Sequence, residues 1–142
     1  MKEQHKNLLL EVNRQSSSDL TALNLYEDLY ETSSGSNLQK IDTFSRFVRR
    51  QRLSKFIAHY EIYKKVLDVS GSIVEIGVHA AQSLFTFGHL SSILEPYNYT
   101  RRIIGFDTFS GFKGISKKDG KLHQNKEGSF GVTDNYFDFL LI

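Results

Sequence analysis

Residues 70–112 read SGSIVEIGVHAAQSLFTFGHLSSILEPYNYTRRIIGFDTFSGF, and the order of elements in this stretch decides the fold. Ile73, Val74, Ile76 and Val78 are a short β-branched run, the pattern of a strand buried on both faces. Gly77 follows Glu75 where that strand must turn. The segment from about Ala81 to Leu94 has helical spacing, with Leu84, Phe85, Phe87, Leu90, Ile93 and Leu94 as its apolar residues, and Pro96 ends it. Ile103, Ile104 and Phe106 form a second apolar run that finishes on Asp107. A helical crossover of this length implies parallel strands and a right-handed βαβ unit, so the chain is of the α/β class.

The rest of the chain sets the bounds. With 142 residues there is room for one domain at most. The formal charge of +2 is too small to argue for nucleic acid or an anionic membrane surface, and no recognised nucleic-acid module is present. The absence of cysteine rules out a disulfide framework and thiolate metal ligands. Leu8, Leu9, Leu10 and Val12 are too short a cluster for a signal-peptide core, and no run approaches a membrane span. The cytoplasm is the expected location.

Working outward, residues 1–37 read as an accessory helical segment. Leu20, Leu23, Tyr26 and Tyr30 recur at helical spacing after a possible Asp19 cap, and Ser33–Asn37 form a loop. Residues 38–142 make up the second unit. Leu38, Ile41, Phe44 and Val48 predict one helical stripe, which Leu53, Phe56, Ile57, Tyr60, Tyr63 and Leu67 continue up to a stop at Gly71. Arg49, Arg50, Arg52, Lys55, Lys64 and Lys65 are expected on its solvated face. Beyond Asp107 the chain is glycine-punctuated and lysine-rich, and Thr133 or Asp134 is placed to cap a last helix, TDNYFDFLLI. Ending on an apolar run gives the sequence an interrupted look.

In open α/β sheets, ligands gather beyond the carboxyl ends of the strands, where both Glu75–Gly77 and Asp107 fall. A glycine there lets backbone approach a ligand closely. A carboxylate ending the second strand suits a ribose diol. Pyrophosphate-bearing dinucleotides want G-x-G-x-x-G, whereas Gly77-Val78-His79-Ala80-Ala81-Gln82 holds one glycine. The turn therefore favours a ligand such as S-adenosylmethionine over a nicotinamide dinucleotide. His5, His59, His79, His89 and His123 show no metal-ligand spacing, and His79 reads as a turn residue.

Val74-Glu75-Ile76-Gly77 followed by Ser83, the run Gly105-Phe106-Asp107-Thr108-Phe109-Ser110-Gly111-Phe112, and Gly128-Ser129-Phe130 together resemble the class I S-adenosylmethionine-dependent methyltransferases. The resemblance is greatest to the macrocin-type sugar O-methyltransferases, over roughly Phe56 to Phe139. It implies an incomplete Rossmann-like fold and O-methylation of a deoxyhexose or nucleotide-linked sugar by a truncated form without full catalytic machinery. It further implies that Glu75, Gly77 and Ser83 line the methionine part of the cofactor site. Asp107 would hold the ribose hydroxyls, and Thr108 and Phe109 would flank the ribose and adenine. Family members have glycines where this chain has Ala81 and Gln82. A divalent metal such as Mg is possible in full-length members, but its ligands, like the base, would lie after later strands and are not identifiable here. The contrasting expectation is a non-catalytic α/β interaction module, or a homo-oligomer, joined through an exposed strand edge.

Overall fold

The computed structural model of the chain describes residues 17–119 and 127–132. The expected last helix over 133–142 lies outside the described residues. Helix α1 spans Ser17–Thr32, α2 Asn37–Asp42 and α3 Arg50–Lys64; strand β1 spans Ile73–Ile76, helix α4 Gln82–Leu94 and strand β2 Ile103–Phe106. Short 3-10 turns lie at Phe44–Arg46 and Lys117–Asp119. Among the described residues no helix is long and apolar enough to cross a membrane.

The single stripe expected over 38–48 is broken after Asp42. Ser36, expected in a loop, caps α2 instead. Its hydroxyl accepts the Gln39 N–H at 3.2 Å and its own N–H donates to Gln39 Oε1 at 2.8 Å, a reciprocal capping box. Lys40 is buried because its ammonium donates to the Tyr30 carbonyl at 2.5 Å and lies 4.8 Å from the Tyr30 ring centre. The next helix ends at Lys64, well before Gly71, which takes φ 123° in the link to β1.

The strands pair in parallel, Ile73 opposite Ile103 through to Ile76 opposite Phe106, with α4 as the crossover. Side chains alternate across the sheet. Ile73, Glu75, Ile103 and Gly105 therefore share the face under α4. The expectation of a strand buried on both faces is corrected here: Val74 and Ile76, on the other face, are 53% and 86% exposed. No described element packs over them. The strand also stops at Ile76, and Val78 is buried in the turn instead.

Contact between α4 and the strands is made by a stripe smaller than the apolar residues suggested. Ser83, Thr86 and Leu90 are buried, while Phe85 and Ile93 are exposed. Thr86 satisfies its hydroxyl on the Gln82 carbonyl at 2.7 Å, so its burial leaves no donor stranded. Gly105 shows how close the layers are. A Cβ there would sit 2.6 Å from Val78 Cγ2 and 3.1 Å from both Leu84 methyls.

At the amino end of the sheet, Glu95 and Arg101 form a pair whose side chains are 10% and 4% exposed. Arg101 donates from Nε to Glu95 Oε2 at 2.5 Å and from Nη2 to Oε1 at 3.0 Å. Tyr63, fully buried on α3, donates to Glu95 Oε2 at 2.5 Å, and Asn98 Nδ2 to Oε1 at 2.9 Å. The guanidinium also donates to the carbonyls of Val66, Val69 and Gly71 at 3.0–3.1 Å, in the link between α3 and β1. Packing of His59 and Tyr63 against Phe87 joins α3 to α4 alongside this network.

Two expected outcomes follow from this packing. Gly105→Ala should destabilise the fold by about 1–3 kcal/mol, read from urea unfolding, because the β-branched Val78 has little room to yield. Hydrogen bonding from Arg101, ahead of its charge, holds the Glu95 carboxyl down from 4.5 to about 2. A depressed carboxyl adds stability above its unfolded value and loses it as pH falls towards the folded one. A thermal melt series should therefore show a decline between about pH 5 and pH 2 that Glu95→Gln abolishes. After allowance for solvent screening it should amount to on the order of 2 kcal/mol.

Candidate functional site

Beyond Ile76 the chain turns sharply, and the turn has an unusual backbone. Gly77, His79 and Ala81 take φ of 84°, 49° and 57°, the left-handed region. Glycine enters that region freely, whereas alanine does so at a cost of roughly 1–2 kcal/mol. Ala81 is fully buried, donates its N–H to the Val78 carbonyl at 2.8 Å and accepts the Phe85 N–H at 3.0 Å to open α4. Alanine thus stands in a conformation that a glycine would adopt without strain. Close approach to a ligand remains possible at Gly77, where a Cβ would meet nothing within 4 Å.

Asp107 fixes this turn to the one after β2. Its Oδ2 accepts the His79 N–H at 2.7 Å and its Oδ1 accepts the Phe109 N–H at 2.6 Å. A carboxylate has about four lone-pair positions, so two hydrogen bonds orient it and leave room for a diol.

The loop after Asp107 is held by residues 127–132. Phe112 donates its N–H to the Ser129 carbonyl at 2.9 Å and accepts the Gly128 N–H at 2.9 Å, and Val132 N–H donates to the Phe109 carbonyl at 3.0 Å. Gly111 makes this possible: with φ 78°, a Cβ on it would lie 2.5 Å from the Gly128 carbonyl oxygen. The Phe112 and Phe130 ring centres come to 4.9 Å. The two glycine-phenylalanine motifs, distant in sequence, are thereby one structural unit.

Between the strand ends and this unit lies a cleft of about 640 Å³. Of the residues singled out in the sequence, Gly77, Asp107 and Thr108 line it. Glu75 points to the sheet face under α4, near the buried Ser83, and neither side chain is on the cleft wall. Phe109 reaches the site through its amide on Asp107 rather than by lining the cleft. Ile76, His79, Phe112, Lys113 and Phe130 also line it. His79 could have been suspected from its place after Gly77, but Lys113 carries no motif of its own.

Burial raises the Glu75 carboxyl above its usual range; the Ser83 hydroxyl and the Lys55 charge oppose the rise, and Asp107 adds to it. Burial also lowers His79, against the pull of Asp107 and with the help of Arg52 and Lys55. Two of the basic residues expected on a solvated face thus reach the site electrostatically, because the amino-terminal half of α3 runs past the turn. Glu75 Oε2 and His79 Nε2 are both buried without a hydrogen-bond partner. Among the described residues no group of three or more acidic or histidine side chains is placed to hold a metal.

No family profile matches the chain, and no curated protein does. Solved structures do. The crystal structure of CalS11, a calicheamicin methyltransferase, superposes with a TM-score of 0.84 at 32% identity, over 89% of this chain and 49% of CalS11. The apo structure of CalS11, described as a TDP-rhamnose 3'-O-methyltransferase of calicheamicin biosynthesis, matches with a TM-score of 0.65 at 32% identity, over 72% of this chain and 44% of the other. The chain thus spans about half the length of the structures it matches. On that likeness, with its parallel βαβ unit, the chain has a partial Rossmann-like fold of the kind seen in class I methyltransferases.

Proposed function

We propose that the chain is the cofactor-binding portion of an S-adenosylmethionine-dependent O-methyltransferase that acts in the cytoplasm on a sugar hydroxyl, of a deoxyhexose or a nucleotide-linked sugar. The observation that carries this reading is Asp107, oriented by two backbone amides at the mouth of the cleft, with the open Gly77 beside it. The 32% identity to CalS11 supports the sugar as acceptor class. Residues 1–37 are read as an accessory segment ahead of this portion.

The residues present fit such a cofactor. Asp107 keeps lone pairs for a ribose diol, and Gly77 admits the ligand close to the backbone. Thr108 borders the ribose, and Phe109 contributes through its amide on Asp107. Glu75 lies behind the cleft wall with a buried carboxylate oxygen that has no partner, and that oxygen is the group that would receive the ammonium of the methionine end beside Gly77; Ser83 holds the carboxylate from the helix side. When bound, S-adenosylmethionine supplies a methyl group activated on a sulfonium. The protein's part here is positioning and electrostatics: Asp107 oriented at the cleft mouth, and a histidine whose burial lowers its pKa and so favours the neutral form.

Calorimetric titration with S-adenosylhomocysteine tests the reading. The wild-type chain should bind it, and Asp107→Asn should weaken binding about tenfold to a hundredfold, the range for losing a charged hydrogen-bond partner. No heat from a sample shown folded by circular dichroism would end the proposal. Glu75 gives a second check with a sign of its own. Its raised pKa makes the ionised form a cost to the free fold, relieved as pH drops through that value. Glu75→Gln should therefore raise the Tm of the free protein at pH 7 while weakening S-adenosylhomocysteine binding. A lower Tm together with unchanged affinity would assign Glu75 to the fold alone.

A further inference from the structure

Little holds helix α1 for its length. The contacts that tie it to the described elements after it gather at Tyr30, whose ring meets Phe47 edge-on at 5.2 Å and whose carbonyl takes the Lys40 ammonium. At 3.6 residues per turn, Leu23 and Tyr26 share that inward side with Tyr30. Leu25, Leu29 and Asp28 fall on the other side, with Glu31 next to them. Leu25 is 63% exposed. An amphipathic helix of this length is marginal in water and is stabilised mainly by covering its apolar side. Here a second apolar strip, bordered by carboxylates, is left uncovered.

The first half of α3 carries the complement. His59 and Tyr63 turn one side of that helix to Phe87, which puts Arg50, Ser54 and Ile57 on the opposite side. Ile57 is 53% exposed, and Arg49 stands at the N-cap beside Arg50. Among the described residues, Asp28, Glu31, Arg49 and Arg50 have no ion pair within the chain. The acidic and basic strips do not meet inside one chain, because the Tyr30–Phe47 contact turns Leu25 and Asp28 away. A second copy supplies each strip with its complement. We infer that this face is a homodimer interface in which α1 of one protomer lies on the amino-terminal half of α3 of its partner, aliphatic side chains meeting at the centre and carboxylates facing guanidiniums. One helix pair is small beside the roughly 1,200–2,000 Å² that stable interfaces bury. A two-fold axis makes the contact twice and uses both strips of both copies, so assembly stops at two. The outer edge of β1 and the cleft stay free in such a dimer.

Size-exclusion chromatography with light scattering on the full chain tests this. The wild type should run at twice the 16.3 kDa chain mass at low ionic strength and shift towards the monomer as salt is raised, since the contact is partly ionic. Asp28→Lys with Glu31→Lys, and separately Arg49→Glu with Arg50→Glu, set like charges against each other. Each pair of substitutions should weaken dimerisation about a hundredfold. Mixed in equal amounts, the two variants should form a heterodimer of about wild-type affinity, because every contact then joins opposite charges. That recovery distinguishes facing strips from a damaged fold. Should a charge-reversed variant lose its helices by circular dichroism, Leu25→Asp reads the same interface from its apolar centre: a monomer is expected, and an unchanged dimer would overturn the inference. A wild type that is monomeric at its highest soluble concentration would also overturn it. So would a dimer indifferent to both charge reversals, or folded variants that stay monomeric when mixed.

Discussion

The Glu95–Arg101 pair is the interaction on which the arrangement depends. The crossover puts Glu95 at the end of α4 and Arg101 just before β2, and the guanidinium reaches back to carbonyls in the link that follows α3. One side chain thus sets the spacing of two helices and the start of a strand. Burying charges is costly unless their remaining hydrogen-bonding groups are also met. Here Tyr63 and Asn98 complete the carboxylate and three carbonyls complete the guanidinium, so the desolvation cost is offset locally. With the amino end fixed in this way, the carboxyl ends of both strands emerge side by side. Asp107 then needs only two amides to bind the turns to each other.

The sheet is asymmetric. Its face under α4 is closely packed, to the point that Gly105 excludes a methyl group. The opposite face presents Val74, Ile76 and Phe106 to solvent, and the outer edge of β1 has no partner strand among the described residues. A strand of this composition gains most of its stability by burial on both faces. The chain has the sequence of a central strand but the burial of an edge strand, and it spans about half the length of CalS11. In the described portion stability rests on one layer of helices, which makes the polar network at its amino end more important than it would be in a sheet covered on both faces.

Legibility in the sequence followed the range of the interactions. The βαβ order, the helix stop before Pro96 and the acid-ended strands were readable because local pattern and chain direction determine them. The α2 cap was not legible because Ser36 sits in a serine-rich stretch that reads as a loop, any serine of which could start a helix. The Glu95–Arg101 pair was invisible: its six-residue spacing crosses a turn, so no helical or strand periodicity points to it. The same holds for the cleft. Glu75 and Gly77 look like near-equivalent neighbours in sequence, but Glu75 lies within β1 with its side chain under α4, whereas the strand ends at Ile76 and the turn carries Gly77 to the mouth. Phe112 and Phe130 were each visible within a motif, yet their juxtaposition depends on the close backbone approach that Gly111 and Gly131 permit, which is a tertiary property.

Backbone strain, finally, is not spread evenly. Among the described residues, the non-glycine positions with positive φ are His79, Ala81, Phe109 and Phe130, and all four lie in the loops at the carboxyl end of the sheet. Such conformations persist only where the surroundings over-determine them, and each costs on the order of 1–3 kcal/mol. The surroundings in question are identifiable. Asp107 holds His79 and Phe109 by their amides, the end of β1 and the first turn of α4 hold Ala81, and the Gly111–Gly128 contact holds the segment carrying Phe130. A carboxylate placed only to bind a ligand would have no reason to organise two strained turns, and one placed only to hold turns would not need to sit at the mouth of a cleft. Asp107 does both. The same constraint that keeps the loops in their costly shape keeps the carboxylate aimed, so the site is ordered before any ligand arrives.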